Sequence, residues 1–369
     1  MSDHYTFFKK ISRKDSGPAL ELLNANPHWG EDGQSLLESV KQSKPVLVRR
    51  ILDLGGDANV RSLPTPGAWR IPLGRAVEAC KDGGWTPEQR QIAEWLLEAG
   101  ADPGARSCHG MLPVIVLAAG AGNRDAVDWL LGQDVEIDLE TACALGDVER
   151  VRSEVAADPG VAARGRPSGR AHFFNVTLPI TGAAKSGLGR NDPAMAKRLG
   201  DIARILIDAG SPVGPWKHDS HVLPSPTEDA AFSGNAAVLA VLLQRGASAQ
   251  DVLESALHHG NPAVLEVMDG YNLDLGGTIA TEAKWGRLSN CLWLAERGAD
   301  PNQRGNEGLG ALHYAARRGA KPEWFASMAG HGADLHKRDA AGRSPLDIAE
   351  AKNKKRLMKW LAAQLDSPS

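Results

Sequence analysis

The sequence predicts an all-α solenoid of about nine or ten stacked helix pairs, separated by short hairpin or loop fingers. Three observations carry that expectation. A short phrase recurs as SPTEDAAFSG at Ser225–Gly234, LPITGAAKSG at Leu178–Gly187 and GALHYAARRG at Gly310–Gly319. Each copy places an Ala pair four residues after Pro or Ala and a Gly three residues later. A second phrase recurs as AEWLLEAGADP (Ala93–Pro103), ARILIDAGSPV (Ala203–Val213), LAVLLQRGASA (Leu239–Ala249), LWLAERGADPN (Leu292–Asn302) and SMAGHGADLHK (Ser327–Lys337). Finally, apolar residues make up 42% and charged residues 24% of the 369, which is the balance of a folded chain. Self-similarity on this scale is the signature of a repeat array.

Each position in the phrases has a physical reason. Ser or Thr before Pro caps a helix whose first turn tolerates a residue without an N–H. The Leu or Ile that follows starts the buried stripe, and the Ala pair keeps the first helix thin, so that neighbours approach closely. Gly supplies the left-handed residue that stops the helix. The second phrase reads as a longer amphipathic helix with an apolar pair facing inward, closed by Gly and then turned by Ala-Asp-Pro-Asn. Partial openings stand at Ile71–Val77 and Ser344–Ala349, and Leu112–Gly122 is a looser copy.

In chain order, residues 1–17 read as an N-terminal extension and 18–365 as one solenoid. Pro18–Pro27 starts it as an incomplete helix pair. Long loops are expected near 60–70, 82–89, 188–199 and 211–225, whereas Thr141–Val155 and Glu254–Met268 hold helix pairs with almost no finger. The stretch 352–365 keeps its apolar stripe but loads its other face with Lys and Arg, as a terminal capping helix does. The enlarged 188–199 region, together with the finger after Gly210, is the expected hinge and protease-sensitive point, because weak junctions in such arrays open locally.

These phrases resemble the ankyrin repeat, whose pattern is T-P-L-H…A-A…G followed by L-L-x-x-G-A-D-x-N. The closing glycines Gly298 and Gly332 are spaced close to its period of about 33 residues. The resemblance extends from about Leu20 to Leu365. Only His313 fills the family's histidine position; Gly74, Thr181, Glu228 and Asp347 stand there in other copies. The resemblance implies a non-catalytic adaptor that grips a partner protein through a concave surface and its fingers. The finger residues it points to are Arg61, Trp69, Arg70, Arg106, His109, Trp216, His218, His221, Arg304, Asn306, His336 and Arg338. A bacterial effector or immunity protein would be the same activity in a particular setting.

The competing chemical reading rests on WKHDSH at Trp216–His221, where His218, Asp219 and His221 lie close together and His172 sits in the preceding finger. A zinc site needs three or four converging ligands, and no Cys or His pair at a recognised spacing completes this set. Solvated finger residues are the plainer reading, with no metal or other cofactor expected. GxSxG, HExxH, Walker and kinase signatures are absent, so an enzyme is not expected. Gly120 and Gly122 close an opening phrase, and Asp125 occupies the third-glycine position of a dinucleotide loop. His258 and His259 suit the carbonyl-rich end of a helix.

Ten Trp residues exceed the six Phe and three Tyr. Trp95, Trp129, Trp293 and Trp360 fall in second-helix patterns and read as core, whereas Trp29, Trp69, Trp85 and Trp216 fall in loops. Those loop residues serve either as contact anchors or as covers for their own loops. A formal charge of −3 offers no global field for nucleic acid or anionic membranes. Cys80, Cys108, Cys143 and Cys291 are widely spaced, and no secretory h-region or membrane-length apolar run is present. A reducing, cytoplasmic setting and a monomer are expected, and the Ala, Gly and Arg richness matches a GC-rich bacterial genome.

Overall fold

The computed structural model describes residues 3–62, 70–78, 84–107, 112–167, 176–218, 221–223 and 225–365. They contain twenty-two α-helices, enough for eleven hairpins, with only two-stranded β elements between them. The chain divides into two compact units, Met1–Ala256 and Leu257–Ser369.

The first unit holds α1 (Asp3–Ile11), α2 (Gly17–Ala25), α3 (Gly33–Lys41), α4 (Pro45–Asp53), α5 (Pro72–Glu78), α6 (Pro87–Glu98), α7 (Val114–Gly120) and α8 (Arg124–Leu131). It continues with α9 (Leu139–Leu145), α10 (Val148–Ala157), α11 (Pro179–Lys185), α12 (Pro193–Asp208), α13 (Pro226–Phe232) and α14 (Ala236–Gln244), and ends within α15 (Ala249–His259). Odd-numbered helices pack on odd ones and even on even: α3 on α5, α5 on α7, α7 on α9, α9 on α11 and α11 on α13, beside α2 on α4, α4 on α6, α10 on α12 and α12 on α14. The second unit repeats the scheme with α16 (Pro262–Met268), α17 (Thr278–Trp285), α18 (Leu288–Glu296), α19 (Ala311–Arg318), α20 (Pro322–Gly330), α21 (Pro345–Ala351) and α22 (Lys355–Leu365). There α17 packs on α19 and α19 on α21, beside α18 on α20 and α20 on α22.

The repeated phrases do what their chemistry predicts. Ser225 and Ser344 close capping boxes with Glu228 and Asp347, and Thr86 closes one with Gln89 ahead of Pro87. The Ala pairs 183–184, 230–231 and 315–316 are fully buried. Gly319 ends α19 in the left-handed region, with φ of +76°.

A close backbone approach joins α9 to α11. A Cβ on Gly182 would overlap the Glu140 carbonyl oxygen and stand 3.1 Å from its carbon, so only glycine lets the two backbones meet. Ser186 Oγ donates to Ala144 O at 2.8 Å across the same seam. The abbreviated repeat at α9–α10 is thin enough that its two neighbours touch directly: Gly187 N–H donates to Ala119 O at 2.9 Å.

Two elements depart from the sequence reading. The stretch read as an extension contains α1, whose Phe7 and Ile11 are fully buried; Phe7 lies 5.4 Å from the Trp29 ring. The apolar spacing Phe7–Ile11 carries that helix signal, but no repeat phrase marks it. In place of a loop over 188–199, α12 already starts at Pro193, capped by Asp192 Oδ1, which accepts from Met195 N–H at 3.0 Å. Leu188, Met195 and Leu199 are buried. The interval after Gly210 is an antiparallel hairpin, β5 (Trp216–His218) with β6 (His221–Leu223), in which His218 faces His221 in register. Shorter pairs form at Arg106–Ser107 with Leu112–Pro113 and at Arg166–Pro167 with Val176–Thr177.

Gly182→Ala is predicted to destabilise the chain by about 2 kcal/mol, because the seam cannot widen without disturbing both helices. Denaturant unfolding followed by circular dichroism measures it; a wild-type midpoint would show that α9 and α11 are not held in contact.

Candidate functional site

An open groove of about 620 Å³ lies on the odd-helix side of the first unit. Leu112, Val116, Leu117 and Ala121 form its apolar floor, and Phe232 stands at its edge with 63% of its surface exposed. Direct contact between the ends of α7 and α11 draws residues as far apart as Glu78 on α5 and Phe232 on α13 around one cavity.

The charged residues on this groove are largely tied to one another. Arg70 Nη1 bonds Glu78 Oε2 at 2.5 Å, and Lys185 Nζ is paired with Asp229. Glu228 is engaged by the capping box, accepting from Ser225 N–H at 3.2 Å. Arg190 donates from Nε to Ser233 O at 2.7 Å and from Nη2 to Gly120 O at 3.0 Å. One guanidinium thereby satisfies backbone carbonyls near the ends of α7 and α13, which have no partner within their helices. Asn235 Nδ2 does the same for α11, donating to Ala183 O at 2.8 Å and to Ser186 O at 3.0 Å. With Arg70 paired to Glu78 and Lys185 to Asp229, the groove offers mainly apolar surface bordered by fixed dipoles.

The predicted finger residues scatter. Arg70 lines the groove. Arg106 does not project: its Nη2 bonds Asp138 Oδ2 at 2.6 Å and its Nη1 lies 3.4 Å from Glu140 Oε2. Arg61 is an exposed loop residue. Trp69 and His109 lie outside the described residues, as do His172 and Asp219, while Trp216, His218 and His221 are placed by their backbone in β5 and β6. In the second unit Arg304 and Arg338 come together, Arg304 Nη2 donating to Arg338 O at 2.7 Å; Asn306 and His336 are exposed nearby in sequence. Among the described residues no group of three His, Cys, Asp or Glu side chains could hold a metal ion.

Of the loop tryptophans, Trp29 packs on Phe7, and Trp85 lies edge-on to Trp129 at 5.0 Å, so both cover their own loops. Trp285 is exposed at the end of α17. His313 accepts from Gly310 N–H at 3.1 Å and bonds Lys337 O at 3.0 Å, joining adjacent repeats; burial lowers its pKa. The Cys143 and Cys291 thiols are buried and pushed up, Cys291 to about 12, and serve as small apolar groups.

Sequence reasoning directed at the fingers missed Lys185 and Phe232. Both occupy the position just after the Ala pair, as Arg317 does in the second unit. The repeat register contained that information: the residue between a buried Ala pair and the closing Gly must turn outward on the odd-helix side.

Helix hairpins stacked in two rows, with thin Ala-rich helices forming the row that lines the groove, define a class of repeat protein. Residues 282–323 match the family model for ankyrin repeats (many copies), and the all-α architecture is that of a repeat solenoid. Among solved structures it is similar to the human ASB11 ankyrin repeat domain, at 22% identity, covering 63% of this chain and 99% of that one, with a TM-score of 0.47. No curated protein matches the chain.

Arg190→Ala is predicted to loosen the ends of α7, α11 and α13 together, at a cost of about 2 kcal/mol for the lost charge-assisted bonds. Hydrogen exchange should then quicken near Gly120, Gly187 and Ser233 while α3 and α4 keep their protection. Unchanged exchange at all three would remove Arg190 from this role.

Proposed function

We propose that the chain is a non-catalytic scaffold whose first unit captures a partner protein in the groove between α5 and α13. The supporting observation is the groove's composition: an apolar floor of Leu112, Val116 and Leu117, an exposed Phe232 at the edge, and two ion pairs, Arg70–Glu78 and Lys185–Asp229, closed within the chain. Such a surface rewards burial of apolar side chains and gives no advantage to a free anion or cation. A volume of about 620 Å³ accommodates a few side chains of a partner, the scale on which interface anchors act.

The β5–β6 finger follows α12 and precedes α13, so a partner seated against Phe232 meets the finger's neighbourhood as well. Trp216 and Trp69 are the finger anchors in this reading, and Arg61, Arg106, His109, His218 and His221 are its polar surroundings. Arg304, Asn306, His336 and Arg338 form a separate candidate surface in the second unit. The partner is a protein rather than nucleic acid, since the chain's formal charge is −3. In this reading the scaffold acts in the cytoplasm as a monomer; among the described residues no helix is long and apolar enough to cross a membrane.

Affinity purification from native cells, with mass spectrometry of what is retained, tests this reading. Phe232→Asp is predicted to reduce recovery of the partner by about tenfold, the loss of one well-buried aromatic anchor, with helical content unchanged. Trp69→Ala combined with Trp216→Ala should weaken recovery further. Equal recovery by wild type and both variants would contradict the assignment.

A further inference from the structure

The second unit carries a surface of opposite character to the groove. Between Arg317 and Lys359 stand eleven Lys and Arg against five Asp and Glu, an excess that the overall formal charge of −3 conceals. Much of it falls on one edge, at the turns that join an odd-numbered helix to the even-numbered helix after it. The turn from α17 to α18 carries Trp285, the turn from α19 to α20 carries Arg317, Arg318 and Lys321, and the turn from α21 to α22 carries Lys352 and Lys354. Because α17 packs on α19 and α19 on α21, the three turns are neighbours in space.

Side chains join these turns into one strip. Arg318 Nη2 donates to Lys284 O at 2.5 Å, and a Cβ on Gly286 would stand 3.1 Å from the Arg318 guanidinium carbon. Arg318 thus lies against the turn that bears Trp285. Lys354 does the same one repeat further on, since a Cβ on Gly319 would stand 3.2 Å from its Nζ. The Tyr314 ring, 5.3 Å from Arg317 Cζ, steadies that guanidinium. Trp285 keeps 61% of its surface exposed beside these cations.

The nearby carboxylates do not cancel the strip. Glu323 is paired with Arg356 at 2.6 Å and Glu307 with Lys284 at 2.6 Å, and Glu350 is exposed near the end of α21. Among the described residues Lys321, Lys352 and Lys354 have no ion pair. The last helix of a solenoid needs a polar outer face, but it does not need one sign of charge concentrated at successive turns beside an uncovered indole.

We infer that this edge docks an extended acidic segment of a partner protein, Trp285 covering an apolar side chain while Arg317, Arg318, Lys321, Lys352 and Lys354 face carboxylates. Packed helices lie about 8–10 Å apart and an extended chain rises about 3.3 Å per residue, so successive turns match every third residue of such a segment. Single exposed ion pairs contribute little, so several must act in line with burial of the indole. That requirement favours a segment over a small anion. Arg317 and Arg318 are already held in place and lose less freedom on binding. The negative charge of the whole chain disfavours a polyanion as long as a nucleic acid. This edge is separate from the groove of the first unit, and either surface can fail its test without the other.

Fluorescence anisotropy of the labelled peptide Ac-DGSDGLDGSDGS-NH2 with the full chain tests the inference. Saturable binding is expected at about 50 mM NaCl, weakening about tenfold by about 200 mM as salt screens exposed charges. The uncharged Ac-NGSNGLNGSNGS-NH2 should bind at least about tenfold more weakly. Arg317→Glu with Lys354→Glu should lower affinity at least about tenfold, and so should the exposed pair Lys321→Glu with Lys352→Glu, which keeps the test valid if the first variant folds poorly. Trp285→Ser should weaken this peptide about fivefold and leave the version with Gly in place of Leu unchanged. Phe232→Asp should bind the peptide as wild type does. No saturable binding at low salt, equal binding of the Asn peptide, undiminished binding by both charge-reversed pairs, or loss of binding in Phe232→Asp would overturn the inference. Tighter binding of oligothymidylate or of phosphatidylserine vesicles would also overturn it, assigning the edge to nucleic acid or to a membrane surface.

Discussion

The structure of the first unit depends on how near two helix backbones can come. Packed side chains ordinarily hold helix axes about 8–10 Å apart. Buried Ala pairs thin the odd-numbered helices, and Gly182 removes the last Cβ at the α9–α11 seam. The abbreviated α9–α10 repeat then occupies so little space that Gly187, just past α11, donates a backbone hydrogen bond to Ala119 of α7. A flat row of helices would present a shallow surface; this contact instead gathers distant repeats around one groove.

Such closeness brings unsatisfied helix ends together, and the chain answers with side-chain donors. Arg190 and Asn235 supply four bonds to carbonyls at or just beyond the ends of α7, α11 and α13. The pairings of Arg70 with Glu78 and of Lys185 with Asp229 act in the same direction, neutralising charge that would otherwise face an apolar floor. The groove's low polarity and its rigidity therefore have one origin. The contrast with Glu140 is informative, since there a carboxylate with comparable burial keeps an oxygen without a donor.

Much of the fold was legible because each repeat position does one physical task. Ser-Pro openings, Ala pairs and closing glycines marked α11, α13, α19 and α21 in the sequence, and the hairpin after Gly210 fell where a finger was expected. The first helix escaped because Phe7 and Ile11 belong to no repeat phrase. The start of α12 at Pro193, inside the expected loop over 188–199, escaped for a different reason: loop-like Gly, Arg and Asn precede a capped helix, and only the tertiary contacts of Arg190 show how they are tied. The groove was partly legible through Lys185 and Phe232, which share a repeat position, but the touching of the α7 and α11 ends depends on the thinness of the α9–α10 repeat between them. No local pattern encodes that.

The central claim is that the odd-numbered helices of the first unit present the gripping surface. Hydrogen exchange on the chain with and without its captured partner measures this most directly. New protection should concentrate at residues 112–121, 185–190 and 228–233, with the even-numbered helices α8, α10 and α12 unchanged. Protection confined to those even-numbered helices, with the groove residues exchanging as in the free chain, would contradict the account.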